Sequence, residues 1–274
     1  MGQVGEPLAG AVSARAQMKV QLGDGCEGEL FMPRATPTGA VVILHERYGL
    51  VQHTLDLAQR FAADGYVALA PDLFSRWQGD REALKRGEVR VTLPDDEVAA
   101  VIDRAIDFVK PRAAQVAVMG VCQSGRYPIV VGSRRRDLAA CVVFYGASQQ
   151  RDWEASALQP RAMGDMLREL HAPALFVYAE RDHTISLDDV RRMRNALETA
   201  RRSYRMKIFA DVPHGFLNDT MPGRYRPKEA AQAWQALLAF LAEVFAGQWN
   251  GRVRWEFEGV SAQDYDFSKN VRLE

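Results

Sequence analysis

The segment Gly120-Val121-Cys122-Gln123-Ser124-Gly125 sets a thiol between small residues two positions to either side. Small residues there let a strand turn sharply into a helix and throw the central side chain into a cleft. This is the nucleophile-elbow pattern, with cysteine where serine usually stands. A helix starting at the turn favours a thiolate. It also sets the Gln123 amide where a developing oxyanion can accept a hydrogen bond. Free cysteine commonly packs as a small buried hydrophobe, and Cys26 and Cys141, inside strand-like runs, take that role.

An elbow nucleophile needs an acid and then a histidine further along the chain. Of His45, His53, His171, His183 and His214, three follow Cys122. His171 precedes Pro173 and the start of an apolar run, away from any cleft at the carboxyl ends of strands. His183 is a candidate. His214, in Asp211-Val212-Pro213-His214-Gly215-Phe216, lies just past the last strand-like run and is the preferred general base. The acid is expected in Glu180-Arg181-Asp182, with Asp182 preferred and Glu180 as the alternative. A short carboxylate in a tight loop can hold a histidine Nδ1–H and fix its tautomer. An aspartate there could also merely cap a turn. The chemical reading rests on three loop positions falling in order, each after a strand-like run.

The elements that must position these groups alternate. Met18, Val20 and Leu22 share one face, Gly23-Asp24-Gly25 turns the chain, and Cys26 to Phe31 returns, predicting a hairpin. Apolar runs at 40–44, 66–70, 116–119, 141–145, 174–178 and 204–209 suit strands covered on both faces. Helical spacing separates them: Leu55, Ala58, Phe61 and Ala62; Val98, Val101, Ile102, Ala105 and Val109 after Pro94; Val190, Met193 and Leu197 after a Ser186 capping pattern. A last helix from Pro227 is expected to turn Ala231, Trp234, Leu238, Leu241 and Phe245 inward. Eight strands result, mainly parallel, with helices on both faces and ligand sites beyond the strand carboxyl ends.

Composition excludes several function classes. Lys plus Arg (35) equals Asp plus Glu (35), and a nucleic-acid or anionic-membrane binder needs a cationic excess. No apolar run reaches the ~18 residues of a membrane span, and residues 1–17 lack the pattern of a signal peptide. Three cysteines without a CxxC pair indicate neither a disulfide scaffold nor a zinc site, so a reducing, cytoplasmic setting is expected. No GxGxxG or GxxxxGK[ST] follows a strand, which argues against dinucleotide or P-loop chemistry.

With Cys122, Asp182 and His214 in view, the sequence resembles the dienelactone hydrolase (carboxymethylenebutenolidase) family over residues 17 to 246. The resemblance is carried by Leu44-His45-Glu46-Arg47-Tyr48-Gly49, Ala70-Pro71-Asp72-Leu73-Phe74, Gly120 to Gly125, Arg181-Asp182 and His214-Gly215-Phe216. It implies an α/β-hydrolase fold and a Cys-His-Asp triad. It also implies that Glu46 pairs with the resting thiol and moves as substrate binds, since a nearby carboxylate disfavours a thiolate. The Arg47 amide resembles the second oxyanion donor. Arg76 resembles one of two arginines that hold a substrate carboxylate. The sequence departs from the family at Ser124, usually glycine, and at Asn218, where the second arginine would fall. Asn218 cannot supply a charged fork; Arg224 and Arg226 are candidates to compensate.

The expectation is an eight-stranded α/β-hydrolase domain over 17–246, preceded by an N-terminal arm (1–16) and followed by a C-terminal extension (247–274). In the extension Val253, Trp255 and Phe257 alternate with charged residues, which reads as a docking strand. That strand would pair with its own domain or with a second copy in a homodimer. The expected activity is opening of a small ester or lactone through a cysteine acyl-enzyme, without metal or organic cofactor. The alternatives are a thioesterase or carboxylesterase of another substrate class, or a ligand-binding protein that keeps the fold without turnover.

Overall fold

The structure, a computed structural model, describes residues 15–249 and 257–258. The N-terminal hairpin joins β1 (Arg15–Gly23) to β2 (Cys26–Met32) antiparallel, through the turn at Asp24. The all-buried runs become β3 (Gly39–Leu44), β4 (Tyr66–Pro71), β5 (Val116–Val121) and β6 (Ala140–Phe144). The longer β7 (Ala174–Arg181) and β8 (Tyr204–Pro213) complete the eight expected strands. A two-residue strand β9 (Phe257–Glu258) adds a ninth, and the order is β1-β2-β4-β3-β5-β6-β7-β8-β9. From β4 to β9 every pairing is parallel. This is the α/β-hydrolase fold. Phe257 pairs with Met206 and Glu258 with Lys207 of the same chain. The N-terminal arm and the rest of the docking strand lie outside the described residues.

Strand residues alternate between two apolar layers. Val42, Leu44 and Leu69 face one side, packed by α3 (Asp95–Val109), α5 (Met163–Glu169) and α6 (Leu187–Thr199). Val41, Ile43 and Ala68 face the other, packed by α1 (Gln52–Ala63) and α7 (Pro227–Phe245). Short helices α2 (Arg81–Arg86) and α4 (Tyr127–Gly132) complete the set. In α7 the buried stripe centres on Ala233, Leu237, Phe240 and Val244, while Ala231, Leu238 and Phe245 are only partly buried. Trp234 and Leu241 are buried as expected, so the observed face overlaps the expected one and extends to Ala233, Leu237 and Phe240, since the many alanines of α7 blur the edge of its apolar side.

Candidate active site

The elbow follows β5 directly. Cys122 has φ +55°, a left-handed conformation that is costly for a residue with a Cβ and is found where a site over-determines it. The packing around it explains the glycines. A Cβ on Gly120 would lie 2.3 Å from the Ser124 carbonyl oxygen, and one on Gly125 would lie 2.7 Å from Gly146 Cα. Ser124 fits without a left-handed backbone, and its side chain adds a tie that glycine lacks. Its hydroxyl accepts from the Val121 N–H (2.9 Å) and donates to the Leu44 carbonyl (3.0 Å), joining the ends of β5 and β3.

Asp182 follows β7 and His214 follows β8, across the sheet from Cys122. A bulge makes the reach. Between Ala179↔Phe209 and Arg181↔Pro213, β8 spends twice as many residues as β7, with Asp211 at φ +58°. The extra length bends β8 over the sheet end. His214 Nε2 then lies 3.1 Å from Cys122 Sγ, and its Nδ1 lies 2.7 Å from Asp182 Oδ2. Asp182 Oδ1 accepts from the Thr184 amide (2.7 Å), the Thr184 hydroxyl (2.8 Å) and the Ile185 amide (3.1 Å). These bonds hold the carboxylate as an ion although its side chain is buried.

The charges support one another. Burial opposes protonation of His214, but the bonds to Asp182 and Cys122 outweigh it and push the imidazole pKa up to about 10. Burial likewise opposes ionisation of Asp182, and the His214 bond and Thr184 donors overcome it, leaving its pKa below the ordinary value. The Asp182 carboxylate and the His214 imidazolium are the charged forms this surrounding favours. Cys141 is the contrast: complete burial pushes its thiol up to about 12, and its Sγ lies 3.1 Å from the Pro128 carbonyl.

Glu46 is buried, and its Oε2 accepts from Asn218 Nδ2 at 2.7 Å. Asn218 Oδ1 is in turn fixed by the Thr220 amide and hydroxyl. Asn218 is therefore a buried partner of Glu46 and does not line the cleft. The Arg47 and Gln123 residues both line the cleft beside Cys122. The Arg47 amide, in the turn after β3, has no hydrogen-bond partner among the described residues, as an oxyanion donor requires.

The cleft holds about 390 Å³. Arg76 is not in its wall. It reaches back over the hairpin to Asp24 (3.2 Å), a carboxylate shared with Arg104, so its expected role as substrate binder is corrected. Glu180 is also committed elsewhere, since its Oε2 accepts from the Asp211 amide at 2.9 Å and so stabilises the bulge. His183 stands at the cleft mouth with its ring edge-on to His214 at 5.6 Å. Arg226 bonds backbone carbonyls of Gly223 and Tyr225, whereas Arg224 faces the cleft. Arg90 and Arg151 join it there, and no side-chain hydrogen bond or ion pair engages these three arginines among the described residues.

Sequence reasoning missed Arg126. Its guanidinium is buried against Asp95 (2.8 Å) and Asp152 (3.4 Å) and donates to the Arg161 carbonyl (2.8 Å). Asp152 and Arg161 belong to the irregular strap 148–162, which forms the far wall of the cleft. Asp95 opens α3, where acids are ordinary; nothing local in the sequence marks it as an ion-pair partner of the elbow helix.

The dienelactone hydrolase family model matches residues 26–245. A Salmonella typhi protein named "Putative carboxymethylenebutenolidase" is 29% identical over 245 residues, covering 85% of this chain and 88% of its own. One of the same name from Methylorubrum extorquens is 30% identical, covering 73% and 70%. A Klebsiella pneumoniae crystal structure, described as a "Putative Dienelactone Hydrolase", superposes with TM-score 0.74 at 26% identity over 83% of this chain and 98% of that one. The chain belongs to the dienelactone hydrolase family, whose members hydrolyse esters and lactones.

Proposed function

We propose that this protein opens a small ester or lactone through a thioester acyl-enzyme on Cys122. The observation that carries the reading is the single hydrogen-bonded line from Cys122 through His214 to the buried Asp182. Sγ attacks the ester carbonyl carbon, an S–C bond forms, and the C=O π pair moves to oxygen. The Arg47 and Gln123 amides hold that oxyanion. Collapse restores the carbonyl and breaks the C–O bond, and His214 Nε2–H protonates the departing oxygen. In a lactone the alcohol so formed stays tethered to the acyl group. His214, neutral again, takes a proton from water as the water attacks the thioester. The second collapse releases the carboxylic acid and returns the thiolate beside the imidazolium. Asp182 holds the ring and stabilises its charge throughout. No step calls for a metal or organic cofactor.

Arg90, Arg151 and Arg224 favour a substrate with an anionic group, and they take the place first given to Arg76. A screen of small lactones and aryl esters, with and without a carboxylate, tests this reading. Preference for the anionic members, with a stoichiometric burst from an activated aryl ester, is expected. Binding without any burst would favour a ligand-binding protein instead.

A further inference from the structure

His45 touches neither the thiol nor the cleft, yet its ring is buried directly behind the peptide that joins Glu46 to Arg47. Its Nδ1 lies 2.7 Å from the Glu46 carbonyl oxygen, and its Nε2 lies 3.0 Å from the Leu73 backbone nitrogen. These two contacts fix the tautomer. An amide can only donate, so Nε2 presents its lone pair to Leu73 N–H and the proton sits on Nδ1, donated to Glu46 C=O. The ring cannot pivot: Phe74 packs on it edge-on at 4.8 Å, and Asp72 Oδ1 stands 3.6 Å from Nε2. Asp72 is itself held by the Phe74 amide and Arg81.

A peptide unit is planar, and none here is cis. Fixing the Glu46 carbonyl therefore fixes the Arg47 N–H, which points the opposite way. The Gly49 amide reaches the same carbonyl at 3.3 Å, a longer bond within the turn. The Arg47 amide itself has no partner among the described residues.

We infer that His45 is a positioning residue: its Nδ1–H locks the Glu46–Arg47 peptide plane so that the Arg47 amide is aimed at the oxyanion before substrate arrives. The inference rests on the acyl-enzyme reading of Cys122. Preorganised donors cost no reorientation during reaction, whereas a donor free to rock loses much of its effect.

The test compares two substitutions in the full chain. In His45→Asn the side-chain Nδ2 stands near the place of the imidazole Nδ1 and can still donate to Glu46. In His45→Gln the Oε1 can still accept from Leu73, but the Glu46 carbonyl loses its donor. Three quantities are read: steady-state hydrolysis of an aryl acetate, inhibition by an aryl trifluoromethyl ketone, and alkylation of Cys122 by iodoacetamide. The ketone adds Sγ to its carbonyl carbon and sends the π pair to an oxygen that needs the Arg47 amide; alkylation makes no oxyanion. His45→Gln is expected to lower kcat about 10- to 100-fold with little change in KM. It should weaken the ketone by a similar factor and leave the alkylation rate near wild type, and His45→Asn should recover much of the loss. Alkylation falling in step with turnover, or equal damage from Asn and Gln, would overturn the inference. A ketone that binds wild type and His45→Gln alike would overturn it alone; a wild-type enzyme indifferent to the ketone would overturn the acyl-enzyme reading and this inference with it. Should His45→Gln fail to fold, imidazole ¹⁵N shifts of the wild type decide: a protonated Nδ1 and a bare Nε2 are expected, and the opposite tautomer contradicts the proposal.

Discussion

The nucleophile elbow and the strap facing it across the cleft are held by different means. At the elbow, backbone sterics set every step: Gly120 and Gly125 lie where a Cβ would strike Ser124 and Gly146, and Cys122 is held left-handed between them. The strap has almost no regular structure, only a short 3₁₀ turn at Gln150–Trp153. It is held largely by long-range polar bonds: Arg126 joins it to the elbow helix and to α3, the Asp95 amide donates to the Leu158 carbonyl (2.8 Å), and the Ser148 hydroxyl donates to the Asp189 carbonyl (2.6 Å). Short-range sterics leave a mark in the string of residues. A side chain that pairs with carboxylates some thirty positions away on either side leaves none.

That contrast can be broken at several points. On the reactive side, His214→Ala should cut turnover by about 10²–10⁴, the worth of a general base. Asp182→Asn should not be rescued by Glu180, which is committed to Asp211; activity close to wild type in Asp182→Asn would show that another acid serves. The same histidine sets a pH signature. Its folded pKa lies above the unfolded 6.5, so its stabilising contribution is complete below pH 6.5 and fades as pH rises toward about 10. The stability gap between wild type and His214→Ala, followed by denaturant unfolding, should narrow across that window; a gap constant from pH 6 to 10 would contradict the charged pair.

On the strap side, Arg126→Met leaves Asp95 and Asp152 buried without their cation. A loss of about 3–5 kcal/mol is expected, as for a broken buried pair. Loss of strap order should also raise KM more than it lowers kcat. If thermal unfolding and KM both stay at wild-type values, the strap is held by something else.

A smaller effect separates cleft arginines from the hairpin one. Arg90→Ala combined with Arg151→Ala should raise KM for a carboxylate-bearing lactone by about tenfold, a difference of about 1.4 kcal/mol. A neutral aryl ester should feel much less. Arg76→Ala, confined to an exposed pair with Asp24, should change neither substrate's KM. Equal responses of the anionic and neutral substrates to the double substitution would remove the case for an anionic ligand.

The sheet was legible because each strand is a continuous apolar run, and the eight expected strands all form. Cys122, Asp182 and His214 were legible because each stands at the end of such a run, where α/β sheets place their loops. The parts that were not legible have separate causes. Arg76 was assigned by resemblance within an irregular loop, where an arginine's long side chain can fold either way; here it turns to Asp24. Asn218 supplies no charged fork, as read, but its role as the buried partner of Glu46, across 172 positions of sequence, left no local mark. The inward face of α7 was only partly legible: Trp234 and Leu241 are buried as expected, but Ala233 and Leu237 at its centre were not picked out, because alanines on several sides give little contrast. The β8 bulge was also invisible, since nothing in Ala210-Asp211-Val212 announces extra residues in a ladder.

The central claim is that Cys122 carries the acyl group. Rapid quenching of the wild-type enzyme with an activated aryl ester, followed by peptide mass analysis, should find one acyl mass on the peptide holding Cys122 and none on Cys26 or Cys141. Cys122→Ala, folded as judged by its circular dichroism, should show neither adduct nor burst. An acyl group on another residue, or near-wild-type turnover by Cys122→Ala, would contradict the account.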